Sequence, residues 1–243
     1  MNNFSYEWDF YKESKETQEY HINRILDGFK VTPDFFKGKH VLEVGCGIGR
    51  QTVGLARWAK KVAAIDNSTA ILKMPKIKNV KTKQTDLMEY NPKEKYDIVY
   101  SRGVLHHLES PYRAFLKCVD LAKSDGIIMF SLYPYRGELF FMINTFIRSI
   151  TKRLPHKLLF RLCKMFASVV PIVHKLMYRR TNKRPISYNE SVWLLFDWFS
   201  PKYQHHIKDD EIDNWTAGMK VLKEGKAWRI VQKNEVNKNG RNR

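Results

Sequence analysis

The 243-residue sequence is short of cysteine, of acids and of long apolar runs, and each shortage closes off a class of protein. Its three cysteines, Cys46, Cys118 and Cys163, are odd in number and far apart, which argues against a disulfide framework and fits a reducing compartment. No metal-ligand spacing is visible, so no metal is expected. No uncharged apolar run reaches the ~18 residues that a spanning helix needs. The start, Met1-Asn2-Asn3-Phe4-Ser5-Tyr6, has no basic segment followed by an apolar core, so a secretory signal is not expected and the chain reads as cytoplasmic. Asp and Glu number 25 against 43 Lys and Arg, a net charge of +18. That surplus points to an anionic partner, whether RNA, an acidic membrane surface or a phosphorylated substrate; charge alone does not choose.

What is present is organised around Val41 to Arg50. A short apolar run suited to a buried strand breaks into Gly45, Gly47 and Gly49 and continues into the helix-like Gln51 to Ala56. A strand, a tight turn and a helix start make a nucleotide-type site, because glycines let the backbone approach a ligand and the first helical N–H groups face the turn. The Gly-x-Gly-x-Gly spacing departs from the pyrophosphate loop of dinucleotide sites. Glu43, just before the first glycine, suits a cationic ligand better than a diphosphate.

From Gly38 to Tyr133 strand-like and helix-like segments alternate, the pattern of a parallel sheet with crossover helices. Strands are expected at 40–44, 61–65, 80–84, 96–101 and 127–132, and helices from near Arg50, Ala70 and Pro111; residues 73–78 read as helix or loop. Two closing strands fit Lys220-Val221-Leu222 and Ala227 to Val231. The expected division is an aromatic and helical N-terminal cap at 1–35, a core at 36–136, a basic helical insertion at 137–213, closing strands at 214–233 and a disordered basic tail at 234–243. The rings of the cap, Tyr6, Trp8, Phe10, Tyr11 and Tyr20, either pack on the core or help to close the site.

Four further motifs carry chemistry. Asp66, about 20 residues after the turn and at the end of the second strand, is placed to accept hydrogen bonds from ribose hydroxyls; the alternative is a helix cap. Asp86 and Leu87 follow the third strand and suit an adenine amino group and ring face. Ser101 ends the fourth strand beside the crevice where open α/β sheets bind ligands, and Val104-Leu105-His106-His107-Leu108 follows it. The Leu121 to Gly126 segment reads as a structural turn. In the insertion, Leu158, Leu162, Met165, Phe166, Val169, Val173, Leu176 and Met177 fall at helical spacing, with Lys157, Arg161 and Lys164 on another face. Lys and Arg dominate from Gly137 to Arg184 against one acid, Glu138. Pro155 is expected to start a helix and Pro171 to kink or end one.

Together, over residues 38–133, these motifs resemble the class I S-adenosylmethionine (SAM)-dependent methyltransferases. The aromatic start, the His106-His107 segment and the stretch Asp197 to His206 resemble a quinone-biosynthesis-type subgroup with a helical lid. The resemblance implies a doubly wound, Rossmann-like, mostly parallel seven-stranded sheet with a helical insertion before the last two strands. It also implies SAM as donor, with Gly45, Gly47 and Gly49 along the methionine and ribose portion, Glu43 at the amino acid end, Asp66 on the ribose, Asp86 and Leu87 on the adenine and Ser101 near the methyl group. Cys46, Asn67 and Arg102 join that site as their neighbours. The sequence departs from the family pattern in a shortened region after Asp66 and in Ser124-Asp125-Gly126, which replaces a proline-glycine-glycine turn.

A sulfonium is already activated, so alignment in a dry pocket is the main task and no metal is required. A hydroxyl or acidic-carbon acceptor needs a base, for which His106, His107, His206 and His205 are candidates, with Tyr203 a weaker one. The expected acceptor is a small or lipid- or glycan-linked molecule, with peripheral contact at an anionic inner membrane face suggested by the basic amphipathic insertion. An RNA acceptor is the alternative, weakened by the absence of an RNA-binding module; DNA is not expected. A SAM-binding protein that transfers nothing is the third reading.

Overall fold

The computed structural model describes residues 15–172 and 187–234. Within these, 15–136 and 203–234 form one compact unit and 137–172 with 187–202 a second. The cap's Tyr6, Trp8, Phe10 and Tyr11, the insertion's Val173 to Arg184 and the tail 235–243 lie outside the described residues.

The first unit holds a seven-stranded sheet. Strands β1 (His40–Val44), β2 (Lys61–Asp66), β3 (Val80–Gln84), β4 (Tyr96–Arg102) and β5 (Ala122–Ser131) run parallel, and β8 (Lys220–Gly225) and β9 (Trp228–Gln232) close it antiparallel. The order is β3-β2-β1-β4-β5-β9-β8. The central strands are apolar on both sides because helices cover both faces. On one face Val41, Ile98 and Tyr100 pack with Ile25 and Phe29 of helix α1 (Lys15–Phe29) and Leu55 of α2 (Thr52–Trp58). On the other Leu42, Val44, Val99 and Phe130 pack with Phe115 and Cys118 of α3 (Pro111–Leu121). Helix α3 starts where Ser110 accepts the Arg113 N–H and Pro111 occupies the first turn, and it buries Ala114, Phe115, Cys118 and Leu121 along one stripe. Gly54 lets α1 come close to α2, since a Cβ there would sit 2.8 Å from the Ile22 side chain.

Two expectations for this unit need correction. The helix near Ala70 is only a 3-10 segment, Thr69–Lys73, and residues 74–77 run as loop; Pro75 biases Met74 away from helical backbone, and Met74 is extended. The turn at Leu121 to Gly126 is absorbed into β5, which starts at Ala122 instead of Ile127. Its register against β4 shifts between Tyr96 and Ile98, so the extra residues bulge out of the ladder. A small parallel pair, β6 (Tyr133–Pro134) and β7 (His206–Ile207), is followed by α7 (Asp209–Trp215). Residues 203–213, grouped with the insertion in the sequence reading, fold with the core unit.

The second unit comprises α4 (Glu138–Thr151), α5 (His156–Phe166) and α6 (Tyr188–Phe199), around Leu159, Cys163, Ala167, Val192 and Phe196. Helix α6 opens with a capping box in which Ser187 and Glu190 satisfy each other's backbone N–H groups. Pro155 precedes α5 as expected, but the break falls at Ala167-Ser168 and Pro171 sits near the start of the next helical residues. A first-turn proline has no N–H to lose there. The expected apolar stripe is also turned. Leu158, Met165, Phe166 and Val169 are exposed, and the buried stripe is Leu159, Cys163 and Ala167, one position along.

Phe115→Ala should therefore cost about 3–5 kcal/mol, while the neighbouring, exposed Leu116→Ala should cost under about 1 kcal/mol. Urea unfolding of the two variants checks which side of α3 faces the sheet.

Candidate active site

The chain runs from β1 outward through β2 and β3, then returns to place β4 against the other side of β1. The C-terminal ends of β1 and β4 thus flank the reversal point, where an open sheet leaves a crevice. The turn after β1 lies at that edge. Gly45 and Cys46 both donate to the Ile65 carbonyl, at 2.8 and 3.1 Å, and Gly49 donates to Cys46 O at 2.9 Å. Gly45 has φ of 75°, and a Cβ there would lie 2.3 Å from Cγ2 of Val104, in the segment after β4. A side chain at 45 is excluded both by conformation and by space. Cys46 is buried, and burial pushes its thiol far up, leaving it an uncharged filler of the turn.

Asp66 closes the turn. One carboxylate oxygen accepts the Gly47 N–H at 2.7 Å, and the other accepts the Ser68 N–H at 2.8 Å and hydroxyl at 2.6 Å. Its carbonyl accepts the Thr85 N–H at 2.9 Å, which fixes the start of the loop bearing Asp86. Asp86 accepts the Met88 N–H at 2.7 Å, Leu87 beside it is buried, and Asn67 is exposed.

Glu43 is buried in β1, and its Oε2 has no hydrogen-bond partner. Burial lifts its carboxyl to about 7, opposed by Thr52 and reinforced by Asp66. Register places Glu43 between Ala64 and Tyr100, and Tyr100 donates its hydroxyl to Gln51 Oε1 at 2.5 Å. At the end of β4 the faces diverge. Ser101 is buried with an unpartnered hydroxyl, while Arg102 turns back to donate to the Arg24 carbonyl of α1 at 2.5 Å. Arg102 thereby ties α1 to the strand end.

The histidines predicted as candidate bases converge. His106 and His107 form a 3-10 turn, Leu105–His107, right after β4. The His106 carbonyl accepts the His205 N–H at 2.9 Å, and β7 pairs His206 with Tyr133. His106 is fully buried, both its ring nitrogens lack a partner, and its ring stacks on Tyr133 at 3.8 Å and lies 4.3 Å from His107. Burial, with His107, His206 and His205 adding, holds it well below the usual histidine range, so it is neutral at pH 7. His107 Nδ1 lies 3.1 Å from the Tyr203 carbonyl. A carbonyl only accepts, so Nδ1 carries a proton, and in the neutral ring the lone pair is on Nε2. His206 Nδ1 lies 3.3 Å from Pro134 O and its Nε2 3.3 Å from Gln204 Oε1. Tyr203 contributes its backbone here, with its ring 6.3 Å from that of His205. Tyr133 was missed in the sequence, although it stands just beyond the expected fifth strand and so at the same edge. Val104 was named only as part of the segment after Ser101, since nothing local reveals that it seals Gly45.

Residues 42–130 match the family model described as a methyltransferase domain. Over that stretch the core is similar to methyltransferase domains. Among curated relatives, the ubiquinone biosynthesis O-methyltransferase of Nitrosospira multiformis is 29% identical over 132 residues, 51% of this chain and 54% of that protein. Its namesake in Salmonella paratyphi A is 30% identical over 113 residues, covering 43% and 47%. The chain thus spans about half the length of the curated relatives it matches. At 15% identity, the magnesium protoporphyrin IX methyltransferase of Synechocystis PCC 6803, solved with bound SAH, shares the fold over 93% of this chain and 91% of its own, with a TM-score of 0.50.

This strand-end edge has the chemistry a SAM molecule asks for. Buried oxygens without partners, Glu43 Oε2 and Ser101 Oγ, offer acceptors for cationic or hydrogen-bonding groups. The glycine turn has positive φ at Gly45, Gly47 and Gly49, and Asp66 and Asp86 are carboxylates at the end of β2 and just after β3. The residues fit the donor.

Glu43 gives the core unit a measurable pH dependence. Its carboxyl binds protons in the folded state up to about pH 7 but unfolded only to about 4.5, so its contribution to stability is complete below pH 4.5 and is lost as pH rises through 7. Relative to Glu43→Gln, the wild-type chain should lose about 2–3 kcal/mol between about pH 5 and pH 8. Urea unfolding of both proteins without donor measures the difference.

Proposed function

We propose that this chain transfers the methyl group of SAM to a hydroxyl or acidic carbon of a small or lipid-linked acceptor, with His107 taking the acceptor's proton. The observation that carries the reading is the Tyr203 carbonyl at His107 Nδ1, which leaves the lone pair of the neutral ring on Nε2, at the strand-end edge. The curated relatives are O-methyltransferases by name, and an oxygen acceptor is the case in which such a base is useful.

When bound, SAM supplies a methyl group already activated by its sulfonium. Asp66, whose carboxylate is oriented by Gly47 and Ser68, holds the ribose hydroxyls; Glu43 faces the cationic amino acid end; Asp86 and Leu87 take the adenine; Ser101 lies toward the reacting end. His106 stays neutral and buried beside His107. It adds no positive charge that would suppress proton uptake by its neighbour, and its stacking on Tyr133 keeps the pair in place. His206, already engaged through both ring nitrogens, supports this cluster and is the weaker candidate for proton transfer.

Labelled SAM incubated with the purified chain and fractionated extract of its own cells should label a small-molecule or lipid fraction. Label in RNA would replace this reading with an RNA acceptor, and tight binding with no transfer would leave a SAM-binding protein. Once an acceptor is in hand, His107→Asn should lower kcat by about 10²–10⁴-fold with the SAM dissociation constant nearly unchanged. Asp66→Ala should weaken SAM binding itself, which calorimetry reads directly.

A further inference from the structure

Helix α4 is built inside out for a water-soluble unit. Its buried side chains are Asn144 and Arg148. Arg148 donates to the carbonyls of Trp198, at 2.5 Å, and Pro201, at 2.6 Å. Asn144 accepts the Trp198 indole N–H at 2.8 Å, and Thr151 donates to the Phe199 carbonyl at 3.2 Å. Polar groups thus fasten one face of α4 to the end of α6, where the last helical carbonyls need donors. The opposite face carries Leu139, Met142, Ile143, Phe146, Ile147 and Ile150 at i, i+3, i+4, i+7, i+8 and i+11. That is a full helical stripe of large apolar side chains. All six are exposed: Leu139 by 73%, Phe146 by 69% and Met142 by 65% at the high end. Leu158, Met165 and Phe166 of α5 are exposed in the same unit.

The charges of α5 and of the turn before it are all basic. Exposed Lys152 and Arg153 follow α4, and exposed Lys157, Arg161 and Lys164 line α5. Across residues 137–184 the sequence holds a single acid, Glu138. We infer that the apolar face of α4, with these cations exposed on the same unit, is a docking surface for an anionic phospholipid bilayer, on which α4 lies flat with Met142, Phe146 and Ile150 in the headgroup and upper acyl region. The helix spans about 21 Å at 1.5 Å per residue, short of the ~30 Å hydrocarbon core, and no helix among the described residues is long and apolar enough to cross a membrane. In-plane insertion is the geometry that satisfies an apolar stripe and exposed cations together. A second copy of the chain fits less well, because a self-complementary contact would bring two copies of the same basic unit together. RNA fits less well too, because the aliphatic members of the stripe offer no platform for stacked bases.

The inference stands apart from the methyl-transfer reading, since binding is measured without donor or acceptor. The full chain is sedimented with vesicles of phosphatidylglycerol and phosphatidylcholine, and with phosphatidylcholine alone, at low and high salt. The wild type should partition onto the anionic vesicles, about tenfold less onto neutral ones, and less at high salt. Phe146→Asp combined with Ile150→Asp should cut partition at least about tenfold with an unchanged urea midpoint. If that pair unfolds the chain, Leu139→Asp in the first turn carries the same expectation. No sedimentation with anionic vesicles at low salt, or equal sedimentation of the folded variant, overturns the proposal. So does a dimer in light scattering that the same substitutions dissolve, or binding of RNA in place of vesicles.

Discussion

The site depends on the carboxylate of Asp66. Three donors converge on it, two of them backbone N–H groups from turns on either side, and hydrogen bonds to a charged group contribute about 1.5–3 kcal/mol each. The same residue's carbonyl holds Thr85, so one amino acid sets the relative positions of the turns after β1 and β2 and the loop after β3. The glycines make the turn after β1 possible. They do not choose its shape, because a residue without a side chain has many alternatives. Asp66 selects one, and Val104 packs it from the side of β4. A carboxylate so committed is pre-organised for a ligand that approaches the turn, since the protein's own donors have already set its orientation.

This explains why the strand-end edge was legible in the sequence and why the internal wiring of its turn was not. The strand ends of β1, β2, β3 and β4 follow from apolar runs and their breaks, and each was found within a residue or two. Asp66, Asp86 and Ser101 stand at those ends, so their common edge could be read directly. That Asp66 is a staple for the turn could not, because its partners are two ordinary backbone N–H groups and a serine hydroxyl with no distinguishing pattern. The shortened helix after β2 failed for a local reason, Pro75, whose effect on the preceding residue is known but competes with the helix-like Ala70 to Lys73. The convergence of His106 and His107 with His205 and His206 required a parallel ladder of only two residues, which no periodicity announces.

The second unit shows a different limit. Helical spacing correctly identified apolar stripes, but a stripe does not state which side of a helix faces inward. In α5 two apolar stripes compete, and the one buried is Leu159, Cys163 and Ala167, the smaller residues, which allow α6 to approach with Val192 and Phe196. The larger residues are left outside. In α4 the selection goes further, since Asn144 and Arg148 are buried and the apolar stripe is not. Removing Arg148 would leave the Trp198 and Pro201 carbonyls without their donor, a cost of about 1–3 kcal/mol for each buried group. The polar side therefore has its own reason to be inside, independent of what the apolar side meets.

How the core tolerates so large an insertion follows from the ladder that frames it. The core runs to Arg136 and resumes at Tyr203, and β6 pairs with β7 just outside those limits, with the Tyr135 N–H donating to Ile207 O at 3.0 Å. The two ends of the inserted chain are thereby held side by side by the core itself. Closing a longer segment between fixed ends costs only about 0.6 kcal/mol for each doubling of length, so the length and composition of residues 137–202 are nearly free variables for the sheet. The same ladder carries Tyr133, whose ring contacts His106 and His107, and His206, whose ring lies 5.9 Å from that of Tyr133. The residues that anchor the insertion are therefore also those that build the proposed base. The proposed base stands at the frame of the insertion and the proposed donor site at the glycine turn, and the two share one edge of the sheet because β4 lies directly against β1.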